Sequence, residues 1–213
     1  VRIMFSRLTR SGSRRKVTRP ELRQMLLDAL SSQGGASSDF DLNKDVVLPE
    51  GRKLTPAAVL IAVRANTQTV ILTKRSAKLK HHPGQIAFAG GKQDPIDADP
   101  TAAALREAHE EIGLDPSFVD VIGTLPAHET VTGYAVMPVI ALVDGPFVAV
   151  AEAGEVSEVF EVPLAHLMTP ANFHVEGRIW QGKIRRYYTI PFGPYYIWGA
   201  TARILRGLAE RMQ

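Results

Sequence analysis

The chain has 213 residues, no cysteine, 45% hydrophobic and 22% charged residues, and a formal net charge of +3; this is the composition of one ordinary soluble domain with an added terminal element. The lack of cysteine excludes disulfides, thiolate nucleophiles and thiolate metal sites, leaving oxygen and nitrogen ligands and therefore hard cations. No apolar run approaches the roughly 20 residues that a membrane helix needs, so no membrane partner is expected and the cytoplasm is the expected compartment.

The positive charge is gathered at the start. Arg2, Arg7, Arg10, Arg14, Arg15, Lys16 and Arg19 lie in the first 19 residues with no acid among them. This reads as a basic, frayed terminus; a nucleic-acid arm or a mitochondrial transit peptide has the same composition, which makes the mitochondrion the alternative compartment. A helix follows in "TRPELRQMLLDALSSQGG", capped at Thr18 or Arg19, with Pro20 early, Leu22, Met25, Leu26 and Leu30 at helical spacing, and Gly34 as its stop. A polar linker occupies residues 35 to 55, so residues 1–50 are expected to form a basic segment with one helix and a linker, and residues 51–213 the main domain.

From Pro56 the pattern turns to short β-rich runs: "AAVLIAV", "TVILTKR", "GQIAFAGG", "FVDVIGTL", "GYAVMPVIALV", "VFEVPL", "FHVEGRIW" and "IRRYYTIPF". Two helices interrupt or close the series. One covers residues 100 to 112, opened by Asp99–Pro100 and stopped by Gly113; the other is "WGATARILRGLAERM". The sum is an α+β domain with helices packed on sheets.

Within the first of these helices, "LREAHEEIGL" sets Leu105, Ala108 and Ile112 on one side, and Glu107, Glu110 and Glu111 on roughly the other. Carboxylates at i, i+3 and i+4 repel unless a cation sits among them. His109 and Arg106 are too few to make an ion-pair ladder. Glycine backbone from "FAGG", reached through the loop "KQDPIDADP", can complete an all-oxygen shell of the kind Mg²⁺ takes beside a phosphate-bearing substrate.

The stretch "GGKQDPIDADPTAAALREAHEEIGL" resembles the Nudix box, G-x5-E-x7-R-E-U-x-E-E-x-G-U. Its second half matches at every specified position; in the first half Gly91 is one residue too far from Arg106, and Ala98 stands where the distal glutamate belongs, with Asp97 or Asp99 as stand-in. The extra residue is similar to the coenzyme A pyrophosphatase branch of that family. So is "ILTKRSAKLKHHPGQIAFAGG", which carries Lys80 for the usual arginine and Ala89 for the usual proline. Lysine keeps the charge but lacks the planar fork.

The resemblance implies a Nudix α/β/α sandwich with a mixed β-sheet, here with an N-terminal helical extension, and a Mg²⁺ or Mn²⁺ cofactor. It implies that Glu107 and Glu111 ligate metal with the Gly91 carbonyl, that Glu110 is a further ligand or part of the base system, and that Arg106 orients a glutamate. A later acid completes the site; among Glu152, Glu155, Glu158 and Glu161, Glu155 fits best. Arg75, Lys80, His82 and Gln85 are the substrate-binding candidates. His81 and His82 are not read as a metal pair, and Tyr187, Tyr188, Tyr195, Tyr196 and Trp198 are read as packing residues.

The implied activity is hydrolysis of the diphosphate of coenzyme A or acyl-coenzyme A, by a monomer or homodimer with no nucleic-acid partner. Two rivals remain: a Nudix hydrolase of ADP-ribose, dinucleotides or nucleoside triphosphates, and a non-catalytic Nudix-fold binding or regulatory protein.

Overall fold

A computed structural model describes residues 17–180 and 182–213. Most of the basic start, on which the readings as frayed terminus, arm or transit peptide rest, lies outside the described residues.

Helix α1, Arg19–Ser31, begins at Thr18, whose hydroxyl accepts from the Glu21 amide while the Glu21 carboxylate accepts from the Thr18 amide at 2.8 Å. This reciprocal pair satisfies two of the amides a helix start leaves bare. The helix ends at Ser31, short of Gly34: Ser32 closes it by donating its amide to Asp28 and its hydroxyl to the Ala29 carbonyl. Gly34 serves a different purpose. Its carbonyl accepts from Arg211 at 2.7 Å, and a Cβ there would stand 2.5 Å from that guanidinium.

The linker is not featureless, for β1 (Ser37–Ser38) pairs in parallel with β7 (His128–Glu129). The main sheet is built from β2 (Thr55–Arg64), β3 (Thr69–Arg75), β4 (Ile86–Ala87), β5 (Ala89–Lys92), β6 (Val119–Thr124), β8 (Tyr134–Val143) and β9 (Val156–Pro163), besides β1 and β7. Its order is β1-β7-β8-β2-β3-β4, with β5 on β2, β6 on β8 and β9 on β3. Strands β2 and β8 run parallel over their full length, while β2–β3, β2–β5 and β3–β9 are antiparallel, so the sheet is mixed.

Alternation along β2 explains why its sequence is an unbroken apolar run. Ala58, Leu60 and Ala62 point to one face and pack with Ala103, Ala104, Ala108 and Ile112 of helix α2, Pro100–Ile112. Ala57, Ile61 and Val63 point to the other face, where they share a core with Leu22 and Leu26 of α1 and with Leu205 and Leu208 of α4, Ala200–Arg211. Strand residues i and i+2 share a face, so a sheet covered on both sides must be apolar at every position. The outcome is an α/β/α sandwich. Its first helix belongs to the same core as the main sheet.

A short helix α3, Leu164–Leu167, leads to a second sheet, β10 (His174–Trp180), β11 (Lys183–Phe192) and β12 (Tyr195–Trp198), in that order and antiparallel. No helix among the described residues is long and apolar enough to cross a membrane.

Candidate active site

Helix α2 starts where its sequence says it should. The Asp99 carboxylate accepts from the Ala102 amide at 2.8 Å, Pro100 fills the first turn, and Gly113 ends the helix at φ 68°. Asp99 is thus committed to the cap. Asp97 takes the other role open to it: Arg106 donates Nε and Nη2 to its two oxygens, both at 3.0 Å, and the Asp94 amide donates to it at 2.8 Å. The Asp97 side chain is 4% exposed, and the Arg106 guanidinium holds its carboxyl below the ordinary carboxylate range. Arg106 also reaches the Lys92 carbonyl at 3.1 Å, Glu110 at 3.0 Å and Glu107 at 3.1 Å. One arginine therefore ties the loop 93–99, the end of β5 and two glutamates together.

The three glutamates do not share one exposed face. Glu111 lies on the inner side beside Ile112 and is 5% exposed, whereas Glu110 is on the outer side against Arg106, and Glu107 lies between them. The small side chains of Ala103, Ala104 and Ala108, all fully buried, bring the helix close to the sheet and draw Glu111 inward with it. Glu111 accepts from the Gly90 amide at 3.2 Å. A Cβ on Gly91 would stand 2.5 Å from Glu107 Oε1, and one on Gly90 2.3 Å from the Ala58 carbonyl oxygen. The glycine pair is required because strand and helix carboxylates meet there without room for a side chain.

Electrostatics mark the same place. Burial pushes the Glu111 carboxyl up to about 7; the Gly90 amide and Arg75 pull it down, and the negative charges of Glu107 and Glu155 add to the rise. Glu107 is also raised, first by burial, with Glu110 and Glu155 contributing against the opposing pull of Arg106. Of the four acids in the later loop, three are engaged elsewhere. Glu152 accepts from the amides of Gly154 and Glu155, Glu158 from Tyr195, and Glu161 pairs with Arg64. Glu155 is the one whose charge reaches both Glu107 and Glu111.

Among the described residues, no three acidic or histidine side chains converge closely enough to encircle a cation as they stand, because Glu107 is turned to Arg106. The donor set nevertheless suits a hard divalent ion. Glu107, Glu111 and the Gly91 backbone offer only oxygen, and the charge of Glu107 acts against ionisation of the buried Glu111, a repulsion that a cation between them would relieve.

The upstream candidates divide. Arg75, half-buried at the end of β3, acts by charge on both Glu111 and His82, and its Nε has no hydrogen-bond partner among the described residues. His82, at φ 55°, and Gln85 line a cleft of about 200 Å³. Lys80 is exposed on the same loop and does not line it. Burial holds the His82 imidazole below its ordinary pKa, with Arg75, His81 and Arg178 acting in the same direction and Asp39 against it.

The aromatic residues divide too. Tyr195 stacks on Phe160 with ring centroids 3.6 Å apart, and Tyr188 packs on the core, as packing residues should. Tyr187 and Trp198 instead line the cleft, in edge contact at 5.3 Å. Asp39, Arg178 and Arg185 line it as well. Nothing local in the sequence singles out Asp39; the alternation Arg185, Tyr187 in "IRRYYTIPF" is the signal that would have placed two of the others on one face.

Known proteins resemble the chain over most of its length. The model of the NUDIX domain family matches residues 53–180. Two relatives named "Uncharacterized Nudix hydrolase NudL", from Shigella sonnei (strain Ss046) and Escherichia coli (strain K12), are each 40% identical over 190 residues, covering 89% of this chain and 96% of theirs. Among solved structures, a NUDIX hydrolase from Alicyclobacillus acidocaldarius aligns with a TM-score of 0.46 at 20% identity, over 75% of this chain and 93% of that one. A family match over more than half the chain, near-complete coverage of relatives at 40% identity, and a helix that carries the box residues Arg106, Glu107, Glu110 and Glu111 leave one assignment: the chain belongs to the Nudix hydrolase family and is a pyrophosphohydrolase.

Proposed function

We propose that the protein hydrolyses the diphosphate bond of coenzyme A or acyl-coenzyme A, releasing 3′,5′-ADP and a 4′-phosphopantetheine species, with Mg²⁺ or Mn²⁺ as cofactor. The observation that carries this reading is the stretch 71–91. It resembles the coenzyme A signature, and it joins the two halves of the site, since β5 supplies Gly90 and Gly91 to the α2 carboxylates while His82 and Gln85 line the adjoining cleft.

In this reading Glu107, Glu111 and the Gly91 carbonyl hold the divalent ion, which when bound offsets phosphate charge and lowers the pKa of water. Arg106, itself fixed by its bonds to Asp97, orients Glu110, while Glu107 would turn from Arg106 to reach the ion. Glu155, facing Glu107 and Glu111 from the loop before β9, takes the proton of the attacking water, and Glu110 serves as a water-bridged ligand or as part of that base system. The attacking oxygen bonds to one phosphorus as the bridging oxygen leaves with the other phosphate. Arg75 and Lys80 offset the charge on the phosphates, and His82 and Gln85 donate hydrogen bonds to the substrate.

The test is product analysis with coenzyme A and added divalent metal. Release of 3′,5′-ADP that stops with chelator, and falls by roughly 100-fold or more in both Glu107→Gln and Glu111→Gln, is the expected result. Hydrolysis of another dinucleotide with no 3′,5′-ADP from coenzyme A would remove the substrate claim and leave the Nudix chemistry standing.

A further inference from the structure

The outer edge of the small sheet carries a sequence that is complementary to itself. Strand β10, "HVEGRIW", is the outermost of β10–β11–β12, and no strand among the described residues lies beyond it. It pairs with β11 residue for residue, from His174–Thr189 to Trp180–Lys183, without a bulge, and it contains neither proline nor lysine. Those are the devices by which sheets commonly guard an edge. Residues 174–179 are all exposed.

The charges of this strand are placed symmetrically. Glu176 and Arg178 have opposite signs and share one face of the sheet, on either side of Gly177. Two copies of β10 set antiparallel about a twofold axis through Gly177 bring Glu176 opposite the partner's Arg178, and Val175 opposite the partner's Ile179. At the axis, where a residue must meet its own copy, glycine brings neither charge nor bulk. Within the chain Glu176 also accepts from the Tyr196 hydroxyl at 2.7 Å, and Arg178 lies over the Trp198 ring at 4.8 Å. The pairing needs neither contact to be released, since a carboxylate has about four acceptor sites and a guanidinium about five donors.

The opposite face supplies apolar contact. Val175 is 51% exposed, Ile179 79% and Ile184 61%, and Ile179 pairs directly with Ile184. In the twofold arrangement Ile184, Ile179 and the partner's Val175 form one continuous row, and the symmetry repeats it. Other registers lose these matches. A slip of two residues sets Glu176 or Arg178 against its own copy, and a slip of one sets the charged face of one copy beside the apolar face of the other. Parallel pairing in register brings like charges together at both positions.

We propose that two copies of this chain associate through β10, joining their small sheets into one antiparallel sheet of six strands with both cleft-facing sides on the same surface. The proposal does not depend on the identity of the substrate.

The test is sedimentation equilibrium of the full chain over about 1 to 500 µM, a range that brackets the Kd on the order of 10 µM expected of a small interface. Glu176→Arg and Arg178→Glu each turn two attractive pairs into repulsive ones and are expected to raise Kd about tenfold or more. An equimolar mixture of these two variants regains both attractive pairs and is expected to associate nearly as well as wild type, which a folding defect in either would prevent. Ile179→Lys, at an exposed position where no core packing is removed, is expected to weaken association by a similar factor. A wild-type chain that stays monomeric throughout the range, a dimer whose Kd the single variants leave unchanged, or a mixture that associates no better than its components would each overturn the proposal.

Discussion

The buried carboxylate of Glu111 gives the sharpest physical consequence of this site. Its pKa rises from the ordinary 4.5 to about 7, with burial as the main cause. An acid raised in the folded state keeps its proton over a window in which the unfolded chain has released it. Stability therefore falls as pH rises from about 4.5 to about 7, and stays lower above that. The displacement corresponds to roughly 3 kcal/mol, an upper bound because the helix end can shift to admit water. Glu111→Gln keeps the shape and can still accept from the Gly90 amide, but never ionises. In chelator at pH 8 the variant should be the more stable protein, by up to roughly 6 to 12 °C in Tm for a chain of this size. At pH 5 the two should melt close together. Added Mg²⁺ or Mn²⁺ should raise the wild-type Tm and leave the variant nearly unchanged, because a ligand stabilises only the state that binds it. Thermal melts at the two pH values, with and without metal, provide the assay. A variant less stable than wild type at pH 8 in chelator would refute the reasoning about the buried charge.

Other expectations follow from the same geometry. Gly91→Ala places a methyl 2.5 Å from Glu107 Oε1, so metal affinity measured by calorimetry should fall about tenfold or more while the fold persists. Asp97→Ala frees Arg106 from the loop 93–99, and kcat should drop by roughly tenfold with little change in KM, because the loss is of positioning; Asp97→Asn should recover part of it. Glu155→Gln should lower kcat, whereas Glu152→Gln, whose partners are its own loop amides, should change the loop's stability more than the rate. Leu26→Ala, in the fully buried heart of α1, should destabilise the whole domain by about 2–5 kcal/mol in urea unfolding, with a single transition because α1 belongs to the main core.

Much of this organisation was legible in the chain itself, and for physical reasons. The apolar run of β2 needs two covered faces, and Asp99–Pro100 with Gly113 bounds α2 by cap chemistry alone. The glutamates of α2 and the glycine pair were marked by their resemblance to the Nudix box, since charge repulsion on a helix face alone does not tell a metal site from a solvated surface. Four kinds of information were out of reach. Helical periodicity put Glu111 on the outer side with Glu110, because an angle of rotation does not reveal how deep a run of alanines lets a helix sit. The choice between Asp97 and Asp99 depended on which carboxylate the cap would consume. The cleft itself joins segments far apart in sequence, with Asp39 from the linker, His82 and Gln85 from the loop before β4, and Arg178, Arg185, Tyr187 and Trp198 from the second sheet. No local pattern links these. Strand β12 and the pairing of β1 with β7 were likewise too short to leave a periodic signal.

The most direct test of the central claim is a side-by-side measurement of kcat/KM for coenzyme A and ADP-ribose at saturating divalent metal, with products resolved by mass. The account predicts that coenzyme A is preferred by about tenfold or more and is cleaved to 3′,5′-ADP and 4′-phosphopantetheine. Equal or better turnover of ADP-ribose, or coenzyme A left intact, would contradict it.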